Sequence, residues 1–117
     1  MDINANVPKE IVDKIYEVLD IVKKTGKIKK GTNEVTKAIE RGTAKLVVVA
    51  QDTNPKEIIM HLPTLCEEKN IPLVPIPKRE ELGEAAGLSL PTASIAVIQE
   101  GDAKQAIKEL TSKLKSA

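Results

Sequence analysis

The stretch KLVVVAQD, residues 45–52, decides the fold. It runs apolar without alternation and is rich in β-branched residues, which predicts a central strand buried on both faces. Asp52 or Asn54 is then placed to cap a helix over about 55–69, with Pro55 at a permitted early position. His61-Leu62-Pro63 predicts a kink or a restart inside that helix, because Pro63 lacks a backbone donor. IPLVPIP, 71–77, predicts a second strand whose prolines put it at a sheet edge or leave one of its sides unpaired. Residues 45–77 therefore read as a βαβ unit with parallel strands and a right-handed crossover.

The same reading extends in both directions. Residues 8–24 place apolar side chains at 11, 12, 15, 18, 19 and 22, a helical stripe that Thr25-Gly26 stops. KIKK, 27–30, predicts a short edge strand. Thr32 is the expected cap of a second helix that buries Val35, Ala38 and Ile39 and ends at Gly42. Residues 78–86 predict a short helix closed by Gly87, LSLPTAS a loop, 94–101 a strand, and 102–117 a last helix. Alternating helices and strands predict an α/β fold, a three-layer α/β/α sandwich around the four strands just named, and the prolines and short strands argue for a small mixed sheet. The 117 residues fit one domain, 1–117, with no repeat and no linker.

Composition excludes several functions. Tyr16 is the only aromatic residue, so base stacking on aromatic platforms is nearly excluded. Cys66 is the only cysteine, which rules out an intrachain disulfide and suits a cytoplasmic location. No apolar run reaches the roughly 20 residues of a membrane span, and MDINANVPKE does not read as a signal peptide. His61 has no cysteine at a metal spacing; a partly buried His61 and a buried Cys66 account for both. Ser89, Thr92 and Ser94 lack a nearby base, and GEAAG, 83–87, lacks the lysine and preceding strand of a phosphate loop. No catalytic, metal or cofactor residue is expected. A competing class, a small-molecule-binding or enzymatic α/β domain, would use the crevice near Asp52 at a strand's carboxyl end.

Charge points elsewhere. Lys23 to Arg41 carries seven basic and two acidic residues, a net of +5 in a chain of net +1, so the remainder is −4. Such a concentration reads as a face for an anionic partner or as a solvated lysine-rich loop. Within KKGTNEVTKAIERG, 29–42, Glu34, Lys37 and Arg41 recur at three and four residues, and Asn33 precedes Lys37 by four. This set shares one exposed helical face. The helix N-terminus, Gly31, and lysines 27, 29, 30 and 37 suit phosphates. Glu34 does not, but a carboxylate accepts hydrogen bonds from base amino and imino groups, and Asn33 both donates and accepts. Base readers framed by phosphate binders are what nucleic-acid recognition requires. The alternative for Glu34 is a surface pair with Lys37 at a favourable helix end.

The segments KKGTNEVTKAIERGTAKLVVVAQDTNP, HLPTLCEEKNIPLVPIP, LGEAAGLSLP and AVIQEGDA, in this order, resemble the archaeal large-subunit ribosomal protein of the L-seven-Ae type over nearly the whole chain. The resemblance implies a non-catalytic protein that binds kink-turns and kink-loops in RNA. The implied RNAs are ribosomal RNA, box C/D and H/ACA guide RNAs and, in tRNA processing, ribonuclease P RNA. It implies that Asn33, Glu34 and Lys37 read tandem sheared G·A pairs in the major groove. Lys27 joins as a phosphate binder, and Lys30, Gly31, Thr32 and Arg41 support the helix end or the phosphates. Leu88, Ser89, Leu90 and Pro91 would pack on a base flipped out of the bulge, near Ile58 and Arg79. A kinked, non-Watson–Crick stem opens the RNA groove that otherwise excludes side chains. Eukaryotic relatives carry arginine at the position of Leu90, so looser specificity at that base is expected here, admitting kink-loops. Ribosome and guide-particle proteins are the implied partners, with the 55–69 helix a candidate surface for them, no membrane association, and a monomer when free.

Overall fold

The computed structural model describes residues 7–116. Residues 1–6, which carry most of the signal-peptide reading, and Ala117 lie outside the described residues. In chain order the elements are α1 (Lys9–Thr25), β1 (Lys27–Lys30), α2 (Thr32–Glu40), β2 (Leu46–Ala50), α3 (Leu62–Glu68), β3 (Leu73–Ile76), α4 (Arg79–Ala85), β4 (Ser94–Gln99) and α5 (Lys104–Ser116). Short 3-10 turns at Lys56–Ile58 and Gly101–Ala103 precede α3 and α5.

The sheet has the order β1-β4-β2-β3. Strand β2 pairs parallel with β3, placing Val48 opposite Val74, and antiparallel with β4, placing Val48 opposite Ile95. Strand β1 pairs antiparallel with β4. The sheet is therefore mixed, and the proline-bearing β3 lies at an edge, where Pro75 is tolerated.

All five residues of β2 are buried, because both sheet faces are covered. Alternation along the strands sends Leu46, Val48, Ala50, Val74, Ile76, Ile95 and Val97 into one core with α1, α4 and α5. Val47, Val49, Leu73 and Ala96 enter a second core with Val35, Ala38 and Ile39 of α2 and with Ile59, Leu62 and Cys66. This is the expected three-layer sandwich. The buried positions of α1 and α2 are those of the apolar stripes.

Four local expectations need correction. Gly31, and not Thr32, is the N-cap of α2, and no side chain caps it. Thr32 is already helical, and its hydroxyl lies 3.3 Å from Ser94 Oγ. The helix expected over about 55–69 begins as a 3-10 turn rather than an α-helix, and α3 starts at Leu62, which is the restart expected at His61-Leu62-Pro63. Pro63 falls in the first turn of α3, where no backbone donor is required; further inside a continuous helix its ring would clash with an upstream carbonyl. Asp52 caps neither piece: its Oδ1 accepts the Arg79 amide at 2.8 Å, at the start of α4. His61 is exposed rather than partly buried, because it lies between the two pieces.

Candidate nucleic-acid interface

Helix α2 leaves the sheet edge directly from β1. The turn is a single residue, Gly31, with φ 88° and ψ 145°, a conformation essentially restricted to glycine. Its amide donates to the Ser94 carbonyl at 3.2 Å, and its own carbonyl accepts the Val35 amide at 3.0 Å. The chain thus passes from a ladder bond to a helical bond across one residue. Three buried side chains, Val35, Ala38 and Ile39, then hold α2 against the core on the side away from solvent.

The solvent side of α2 carries Asn33, Glu34 and Lys37, and Arg41 follows as the C-cap residue; all four are exposed. Lys37 Nζ lies 3.8 Å from Glu34 Oε1, with both side chains about half exposed. So the surface pair expected as the alternative for Glu34 exists. An exposed pair of this length contributes little, on the order of 0–1 kcal/mol, and leaves both groups free to take a better partner. Lys23 and Lys24 are engaged by Asp20 at 3.6 and 3.2 Å. The Lys24 hydrogen bond holds the Asp20 carboxyl below its ordinary range. Lys27, Lys29, Lys30 and Arg41 are all exposed, and none has an ion pair within 4.0 Å among the described residues. Lys30 adjoins Gly31, whereas Lys27 is at the other end of β1, roughly 10 Å away along the strand.

The loop 88–93 arrives beside α2 because it leads into β4 at Ser94. The Ser94 carbonyl accepts from the Thr92 hydroxyl at 3.2 Å as well as from Gly31. Ser94 is fully buried and joins the helix terminus to the loop. The Thr92 amide donates to the Arg79 carbonyl at 3.3 Å, which ties the loop to the start of α4. Gly83 holds its other side. Its carbonyl accepts the Leu88 amide at 2.8 Å, and a Cβ at Gly83 would collide with the Leu90 carbonyl. Leu90 is left 72% exposed at the loop tip, the most exposed large apolar side chain among the described residues.

Leu88 is half-buried, while Ser89 and Pro91 are exposed. Ile58, 41% exposed, stands on the 3-10 turn after β2, and Arg79 is exposed at the head of α4. Glu80 and Glu84 line the shallow depression on the α4 side of the loop. Phosphates are repelled there, so a polyanion is favoured to approach from the α2 side.

The Asp52 carboxylate is used as a helix cap. No group of three His, Cys, Asp or Glu among the described residues is placed to hold a metal. Cys66 is buried in the α2–α3 core, and burial pushes its thiol up to about 11. Ser94, Thr36 and His61 are the residues whose roles sequence reasoning missed. Their partners lie 62 residues away for Ser94 and 25 for the Thr36–His61 pair, so no local spacing could reveal them.

Comparison with known proteins finds relatives of this fold. A solved structure described as a Giardia lamblia 15.5kD RNA binding protein superimposes with a TM-score of 0.92 at 30% identity, covering 99% of this chain and 98% of that one. Residues 13–107 match a family over most of the chain, and the chain belongs to the Ribosomal protein L7Ae/L30e/S12e/Gadd45 family.

Proposed function

We propose that this chain is a single RNA-binding domain that recognises kink-turns and kink-loops, stabilises the kinked form and scaffolds ribonucleoprotein assembly. It is not an enzyme. The observation that carries the reading is the exposed face of α2, where Asn33, Glu34, Lys37 and Arg41 follow a glycine cap beside unpaired lysines of β1. Family membership and the RNA-binding description of the structural relative support it. In this reading Asn33, Glu34 and Lys37 meet base edges. Lys27, Lys30, Gly31, Thr32 and Arg41 hold the phosphates or the helix end. Leu88, Ser89, Leu90 and Pro91, with Ile58 and Arg79, receive a flipped base. RNA that is kinked only part of the time is trapped because the protein binds that state better.

The finer assignment is an archaeal, cytoplasmic, large-subunit ribosomal protein, monomeric when free. It also serves box C/D and H/ACA guide RNAs and ribonuclease P RNA, with ribosome and guide-particle proteins as its partners. Among the described residues, no helix is long and apolar enough to cross a membrane. The test is a gel-shift titration with a kink-turn RNA and a straight-stem RNA of equal length. Preferential binding of the kink-turn is expected, and equal affinities would refute the reading. Sequencing of RNA crosslinked to the protein in its own cells identifies which RNAs it serves.

A further inference from the structure

His61 is the only histidine of the chain, and the RNA-binding reading gives it no role. It occupies the N-cap position of α3 with helical backbone angles, φ −78° and ψ −18°. The restart before Pro63 therefore determines where its ring can reach. Its Nε2 lies 2.8 Å from Thr36 Oγ1, on α2. The Thr36 hydroxyl is itself 2.7 Å from the Thr32 carbonyl, to which it donates. A threonine hydroxyl has one proton. With that proton on the Thr32 carbonyl, Thr36 Oγ1 can only accept from His61, so the ring carries its hydrogen on Nε2.

The direction of this chain, from His61 through Thr36 to Thr32, matters for the face that α2 presents. At 100° per residue, Thr36 lies about 60° around the helix from Asn33, on the flank between the buried stripe and the exposed face. Glu34 lies on the far side of that face. Helix α2 has nine residues, and its buried anchor is three side chains on one side. Apolar packing of this kind resists separation better than it fixes rotation about the helix axis. A directed hydrogen bond from a neighbouring helix on the Asn33 flank supplies the missing constraint.

We propose that His61 is a positioning residue for RNA recognition: by donating to Thr36 it fixes the rotation of α2 and so the aim of Asn33. The proposal rests on the RNA-binding reading of α2. One neutral hydrogen bond corresponds to about a fivefold change in an equilibrium.

The experiment compares the intact protein with His61→Ala, His61→Gln, Thr36→Val and the double variant His61→Ala/Thr36→Val. Each is titrated with a kink-turn RNA and with a straight stem, and amide hydrogen exchange of α2 is measured without RNA. His61→Ala and Thr36→Val should each weaken kink-turn binding about fivefold, with straight-stem binding unchanged. The double variant should be no weaker than either single one. Glutamine keeps a donor near the Nε2 position, so His61→Gln should restore most of the affinity. Exchange at Thr36 and Lys37 should quicken in His61→Ala and return towards normal in His61→Gln. Wild-type affinity and wild-type exchange in His61→Ala would overturn the proposal. So would a weak His61→Gln beside a normal Thr36→Val, since His61 would then touch the RNA directly. If the intact protein fails to prefer the kink-turn, the RNA reading falls, while α2 exchange still decides whether His61 steadies the helix.

Discussion

The amide of Gly31 donates to the carbonyl of Ser94 at 3.2 Å, which fixes the start of α2 to the start of β4. The bond requires the glycine conformation, φ 88°, that turns strand into helix within one residue. A Cβ at Gly31 would meet nothing within 4 Å, so substitution there is a test of backbone conformation alone. Gly31→Ala should destabilise the protein by about 1–3 kcal/mol and weaken kink-turn binding through a displaced helix end. Urea denaturation and RNA titration measure the two effects.

Glu34 tests base reading. Its pair with Lys37 is exposed and 3.8 Å long, so Glu34→Ala should leave the melting temperature nearly unchanged. Kink-turn affinity should fall by about 1–3 kcal/mol, the scale of a base-edge contact. Straight-stem affinity should be spared. Equal losses on both RNAs would remove Glu34 from the base-reading set.

Lysines without a carboxylate partner should position the RNA and not specify it. Lys27→Ala and Lys30→Ala are expected to weaken both RNAs together. A substitution that removes one phosphate-binding cation should flatten the salt dependence by roughly 0.7–0.9. Titrations at several salt concentrations decide this residue by residue. Lys27, far along β1 from the helix end, is the more stringent case.

The loop around Leu90 separates binding from stability. Leu90 is 72% exposed, so Leu90→Asp should hardly change the melting temperature while strongly reducing kink-turn binding. Leu90→Arg should keep binding and sharpen discrimination at the flipped base, read out with each of the four bases there. Gly83→Ala should reproduce the binding loss of Leu90→Asp without touching RNA, because its Cβ collides with the Leu90 carbonyl and displaces the loop.

Cys66 predicts an alkaline limit to stability. Burial pushes its thiol up to about 11 in the folded protein, above the ordinary cysteine value. The folded state therefore keeps a proton that the unfolded chain loses from about pH 8.5 upward. Stability should be unaffected by this group below that pH and should decline as pH rises towards 11. Tyr16, raised by burial and by its hydrogen bond to Glu81, adds in the same direction. A thiol reagent at pH 8 should label the native protein slowly and the urea-unfolded protein at once.

The layers of this fold were legible because burial imposes a period on the chain. Ile11, Val12, Ile15, Val18, Leu19 and Val22 had to recur at helical spacing, and β2 had to be apolar throughout because both its faces are covered. Polar side chains follow no such rule. Asp52 lies next to one helix and caps another, because the turn of the chain brings the Arg79 amide to it. Thr32 has the right chemistry for a cap, yet Gly31 takes that place because the backbone needs a conformation that threonine avoids. The exposed face of α2 was legible from its spacing. The Ser94 and His61 interactions that orient it join segments distant in sequence, and only the fold brings them together.

The position of β1 at one end of the sheet gives its lysines a second consequence. An outer strand offers unused backbone donors and acceptors on which another chain can build, and lysine is a common deterrent. Lys27, Lys29 and Lys30 line that border, and Pro75 interrupts the opposite one. The cations proposed to hold phosphate thus also discourage self-association in the protein without RNA. Exchanging all three for threonine or valine would remove both at once, and fibril formation would accompany the loss of RNA binding.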